Sequence, residues 1–145
     1  MIRFANTIDI NRQPRDVYEY LADLEHTPEW NWAISSTHKV TPGSTGVGTQ
    51  YRQQRSTPRP SVEVIEITRL DPPLRIDVAG RLGPFDARLS YQLASIGSGT
   101  RLTNIAELKP PLPLGFVGDV VSGRIRASVA ENLGALKALL EQETL

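Results

Sequence analysis

The chain has 145 residues, with 16 basic and 16 acidic side chains, two histidines and no cysteine. That length suits one domain over 1–145, large enough to bury roughly two thirds of its unfolded surface. The charge balance leaves no electrostatic footprint for nucleic acid or an anionic membrane, and the missing cysteines exclude disulfides, thiolate catalysis and cysteine-type zinc sites.

Residues 2–11 alternate, with Ile2, Phe4, Ile8 and Ile10 on one face and Arg3, Thr7 and Asp9 on the other, as in a half-buried strand. The same stretch lacks an apolar core of signal-peptide length, and no later segment could span a bilayer, so a cytoplasmic location is expected. Pro14 opens a helix predicted to run to about Leu24, with Val17, Leu21 and Leu24 at helical spacing. "EHTPEWNWA" breaks it at Pro28 and leads into a strand over Ile34–Thr41.

Gly43 and Gly48 then stand five apart, the spacing of the glycines in a phosphate-cradling loop. The lysine that such a loop needs is absent, Thr49-Gln50-Tyr51-Arg52 follows instead, and no helical pattern comes after it. The stretch is read as a turn between strands, without a nucleotide. Further strands are predicted near 48–57, 61–70, 74–79, 84–94 and 99–108, separated by "STPRPS", "DPP", "GRLG" and "SIGSG". Links this short force antiparallel pairing, because a parallel crossover needs a dozen or more residues. "KPPLPLG" stops the last strand, and a long helix follows to about Glu143 with Val117, Val121, Ile125, Val129, Leu133, Leu136 and Leu140 as its apolar stripe.

The order predicts an α+β fold: a seven-stranded curved antiparallel sheet wrapped around a long C-terminal helix, with short helices after the first strand. The sheet cannot cover its own apolar face, so the long helix must lie across it. Gly115, Gly118 and Gly123 fill little volume in the first half of that helix. A pocket is therefore expected beneath it.

From end to end the chain resembles the START-like, or SRPBCC, superfamily, and in particular its bacterial polyketide cyclase/dehydrase-type branch. The pieces that carry the likeness are "TIDINRQPRDVYEYLADLEHTPEW", "GVGTQY" opening the third strand, "EITRLDPPLRI", "SGTRLT" and the closing "NLGALKALLE". The resemblance implies the helix-grip fold around an apolar cavity, the arrangement reached above from periodicity. It implies no single activity, since such families include carriers of hydrophobic ligands, aromatases and cyclases, and chaperones. Trp30 matches the recurring Trp of that family at the helix-to-strand junction, where it is expected to plug the end of the sheet.

Strand parity selects the residues that look inward. Phe85, Ala87, Leu89, Tyr91 and Leu93 share the apolar face of one strand, Leu102, Asn104, Ala106 and Leu108 that of the last, and Glu63 travels with Ile65 and Ile67. The inward polar groups are then Glu63, Tyr91, Asn104 and, on the helix, Arg124 and Ser128. Glu63 is the one catalytic candidate, since burial would raise a carboxyl toward neutrality, and the alternative is a solvated residue near a strand end. The expected ligand-binding set is Trp32, Tyr51, Ile65, Tyr91, Asn104, Val117, Val121 and Arg124. His26 and His38 lie twelve apart with no third ligand patterned around them, so neither a metal nor a cofactor is expected.

The leading functional expectation is binding of an apolar, lipid- or polyketide-like small molecule by a monomer or homodimer. Two rivals stay open: a cyclase or dehydratase that uses the same cavity as a mould, and an interaction protein without a ligand.

Overall fold

The computed structural model describes residues 1–111 and 119–142. In chain order they form β1 (Ile2–Ile10), α1 (Pro14–Ala22), a 3₁₀ turn (Leu24–His26), α2 (Thr27–Trp30), β2 (Ile34–Lys39), β3 (Gln50–Arg55), β4 (Ser61–Asp71), β5 (Arg75–Leu82), β6 (Phe85–Ile96), β7 (Gly99–Lys109) and α3 (Asp119–Gln142). The seven strands make one sheet in the order β1-β7-β6-β5-β4-β3-β2, with every neighbouring pair antiparallel. This is the expected helix-grip architecture. No helix among the described residues is long and apolar enough to cross a membrane.

Local chemistry explains most boundaries. Pro14 occupies the first turn of α1, where its missing N–H costs nothing. Gly83 and Gly97 take φ of +56° in the tight turns between β5 and β6 and between β6 and β7, a conformation that suits the twist of the flanking strands. The Gly43–Gly48 stretch joins β2 to β3, and both glycines carry strongly positive φ, 89° and 92°. It is a strand connection, and β3 rather than a helix follows it.

Two sequence expectations change. The "GRLG" stretch reads as a break, yet β5 runs through it to Leu82. A Cβ on Gly80 would lie 2.4 Å from the Val64 carbonyl oxygen, so glycine serves here for the close approach of β4 and β5 and not for a turn. The second change concerns α3, which packs along β1 and α2. Leu133, Leu136 and Leu140 are buried, Ile125 and Val129 are half-buried, and Val121 is 44% exposed. The cause is geometric: residues four apart advance about 40° around a helix at each step. Val121 therefore points roughly 120° away from Leu133, and the seven-residue stripe is a spiral rather than one face. Val117, Gly115 and Gly118 lie outside the described residues.

The core has two parts. The larger gathers Ile10, Val17, Leu21, Trp30, Ile65, Ile67, Ile76, Leu102 and the three leucines of α3. A smaller one, at the other end of β1, β6 and β7, holds Ile2, Phe4, Ala87, Ala106 and Leu108. Leu82, Leu89 and Val129 touch both.

Candidate functional site

An open cavity of about 70 Å³ lies between the concave sheet and the short helices, and no described residue of α3 lines it, so it is not the pocket expected beneath the first half of the long helix. Its apolar wall comes from Leu21 and Leu24 on the helical side, Trp30 at the end of α2, and Ile65, Val78, Ala87 and Leu89 on the sheet. Gly80 also lines it, at the point where β4 and β5 close up. Five polar residues line the same space: Thr27 on α2, Asn31 just after it, Gln53 and Arg55 on β3, and Tyr91 on β6. Thr27 is already engaged, donating its hydroxyl to the Leu24 carbonyl at 2.7 Å.

Register explains the polar side of the cavity. Gln53 pairs with Glu63 and Arg55 with Ser61 across β3 and β4, and strand alternation turns Tyr51, Gln53 and Arg55 to one face. Glu63 is 4% exposed and accepts five hydrogen bonds. Oε1 accepts from Gln53 Nε2 at 2.8 Å and from one terminal nitrogen of Arg55 at 3.2 Å. Oε2 accepts from Arg55 Nε at 2.8 Å, Ser61 Oγ at 3.0 Å and the Gly83 backbone N–H at 2.6 Å. Burial alone would push this carboxyl's pKa up, but the donors of Arg55, Gln53 and Gly83 more than reverse it. The group is held below the ordinary glutamate range.

This overturns the expected route to a catalytic Glu63. The catalytic expectation rested on burial raising the carboxyl toward neutrality, and its alternative was a solvated residue at a strand end. Instead the residue is buried and ionised, and its lone pairs are taken. An oxygen with no accepting capacity left cannot take a proton from a ligand without first breaking a bond to the protein.

Tyr91 is the opposite case. It packs edge-on against Trp30, with ring centroids 6.5 Å apart and planes at 89°. Among the described residues its hydroxyl has no hydrogen-bond partner. Burial pushes its pKa up to about 12, so it stays a neutral phenol that can donate.

The expected ligand-binding set is thus dispersed. Ile65 and Tyr91 line the cavity. Tyr51 and Asn104 are buried, each 1% exposed, but stand outside the lining; Asn104 donates weakly to the Ser90 carbonyl at 3.4 Å. Trp32 is 63% exposed on the loop before β2, because Trp30 completes α2 and takes the inward position. Val121 and Arg124 are exposed on the turn of the α3 spiral that faces away from the core, as is Ser128. Val117 falls outside the described residues. Missed from the sequence were Trp30 as cavity wall and the pair Gln53 and Arg55. The parity that turned Glu63 inward on β4 turns these two inward on β3 once the hairpin register is known.

His26 stacks on Tyr20 with ring centroids 4.2 Å apart, and its Nδ1 bonds the Tyr20 carbonyl at 3.0 Å. His38 is exposed on β2. Among the described residues no group of three or more His, Asp or Glu stands close enough together to hold a metal ion.

A family model described as "Polyketide cyclase / dehydrase and lipid transport" matches residues 1–141. Among solved structures, the chain is similar to a START superfamily protein from Mycobacterium smegmatis, at 16% identity and a TM-score of 0.84, covering 98% of this chain and 99% of that one. A protein from Thermus thermophilus gives 19% identity and a TM-score of 0.82, with 99% of each chain covered. The Zhui aromatase/cyclase from Streptomyces sp. R1128 gives 12% identity and a TM-score of 0.80, covering 99% of this chain and 95% of that one. At such identities the likeness carries the fold alone. No curated protein matches the sequence.

Proposed function

The chain belongs to the polyketide cyclase/dehydrase and lipid transport family, and from that premise we propose that it binds an apolar small molecule, lipid- or polyketide-like, in the cavity between the sheet and the helices. The observation that carries this reading is the cavity's lining: apolar side chains from four strands and the short helices, interrupted by a few fixed polar groups. Its size sharpens the reading. A cavity of about 150 Å³ is known to admit benzene, and this one is about 70 Å³. It holds part of a ligand, such as a chain end or the edge of a ring, and a larger body must extend through the open side or spread the walls.

Binding is favoured over catalysis because, among the described residues, no acid–base pair stands free at the cavity. Glu63 is saturated with donors and Tyr91 is a neutral phenol over the physiological range. The test is titration of isotope-labelled protein with toluene, followed by NMR. The amides of Ile65, Val78 and Leu89 should shift saturably in the wild type and not in Ala87→Leu, whose added carbons fill the space. Shifts that never saturate, or that persist in the filled variant, would place toluene on the surface and end the binding reading.

A further inference from the structure

The proposed cavity has an electrostatic asymmetry that bears on what enters it. Five donors converge on Glu63, so this carboxylate has nothing left to accept with. Arg55 is less committed. A guanidinium carries five N–H donors, and Arg55 gives Nε and one N–H of a terminal nitrogen to Glu63. The remaining three have no partner among the described residues, on a side chain that is 17% exposed and lines the cavity. The paired geometry matters as much as the surplus. Two parallel N–H···O bonds to a buried carboxylate fix the plane of the guanidinium, so its free edge is presented in one orientation. The Tyr91 hydroxyl adds a further donor on the sheet side.

Resting on the binding reading above, we propose that Arg55, oriented by Glu63, is the specificity-determining residue of the cavity, and that it selects ligands whose inserted group carries an uncharged oxygen acceptor of the ketone type. The choice of an uncharged acceptor follows from the charge balance. Arg55 and Glu63 already sum to zero, so a ligand carboxylate would leave one uncompensated negative charge in a low-dielectric space. A carbonyl oxygen satisfies the free N–H groups without adding charge. A plain hydrocarbon leaves them unpaired once water is displaced, which is costly for a buried cationic donor.

Three near-isosteric one-ring probes test this: acetophenone, α-methylstyrene and benzoate, which present a ketone, a methylene and a carboxylate at the same place. Dissociation constants come from NMR titration of wild type and of Arg55→Met/Glu63→Gln, a double variant that removes the donors without stranding the carboxylate. The double variant should weaken acetophenone about tenfold, the size expected for a hydrogen bond to a charged donor, while α-methylstyrene changes less than about twofold. In the wild type, the Arg55 guanidinium resonances should move with acetophenone and stay still with α-methylstyrene, a readout that needs no variant to fold. Equal losses for both probes, or guanidinium resonances indifferent to acetophenone, overturn the assignment while leaving cavity binding intact. Benzoate binding more tightly than acetophenone overturns the choice of an uncharged acceptor. Failure of every probe, toluene included, to bind saturably removes the cavity reading and this proposal with it.

Discussion

Removing the guanidinium from Arg55 alone should be far worse for the fold than removing it together with the charge it faces. In Arg55→Met, Glu63 keeps donors from Gln53, Ser61 and Gly83 but loses its counter-ion at a site where its side chain is 2% exposed. Stranding a buried charge in this way costs about 3–5 kcal/mol. In Arg55→Met/Glu63→Gln the stranded charge is gone, and a neutral amide still meets Gly83 N–H, so the loss should be about 1–2 kcal/mol, that of hydrogen bonds alone. The assay is urea denaturation of the wild type, both single variants and the double variant, which gives the coupling between the two sites directly. The single variant should also lose on the order of 10 °C in Tm. A pH series adds a sign. The folded carboxyl sits below its unfolded value, so the unfolded chain binds the extra proton. The wild type therefore has this contribution in full above the ordinary glutamate range and loses it as pH falls through the depressed folded value. Arg55→Met should reverse the trend, becoming relatively more stable as acid neutralises Glu63. If the single and double variants unfold at the same urea concentration, and neither shows the reversed pH slope, the pair is not a buried charge system and the argument fails.

Leu133→Ala should lower stability by about 2–5 kcal/mol, since Leu133 is 1% exposed, whereas Val121→Ala should change stability by less than about 0.5 kcal/mol, being 44% exposed on the same helix. Equal effects would mean that α3 does not spiral away from the core. Gly80→Ala should cost about 1–3 kcal/mol from overpacking against the Val64 carbonyl, and a variant as stable as wild type would show that β4 and β5 are not held that close. Calorimetry should detect no ATP or GTP binding at the Gly43–Gly48 turn; tight binding abolished by Gly48→Val would reverse that assignment.

The fold was legible because its signals are local. Period-two alternation on β1, β6 and β7 set the inward faces of Leu93, Leu102 and Asn104 correctly, and Pro and Gly clusters counted the strands. Two things were not local. The α3 stripe looked continuous because each apolar residue is three or four from the next, and only the accumulated 40° steps separate Val121 from Leu133. The site itself depends on cross-strand register. Gln53 and Arg55 lie eight to ten positions from Glu63 in a polar stretch, "YRQQRSTPRPSVE", that reads as an exposed hairpin. Nothing in that stretch shows that β3 and β4 pair Gln53 with Glu63, which is what buries those two and brings the half-buried Arg55 onto the same carboxylate.

That register also decides what kind of cavity this is. A buried ion pair is a weak source of stability, because desolvating both partners cancels much of their attraction and an apolar pair of similar volume does as well or better. Here the cost is compounded by Gln53 and Ser61, two further polar residues turned to the same carboxylate. Stability alone would favour extending the apolar wall of Ile65 and Val78 to this end of the sheet. What the polar cluster supplies instead is direction: a guanidinium locked in plane, with donors to spare, beside a space lined otherwise by hydrocarbon. If the cluster serves ligand recognition, replacing Arg55, Glu63 and Gln53 together with Met, Leu and Leu should cost no more than the acceptor lost to the Gly83 N–H, about 1–3 kcal/mol, while abolishing discrimination between acetophenone and α-methylstyrene. A larger loss of stability with discrimination intact would assign the cluster to folding, and the recognition argument would fall.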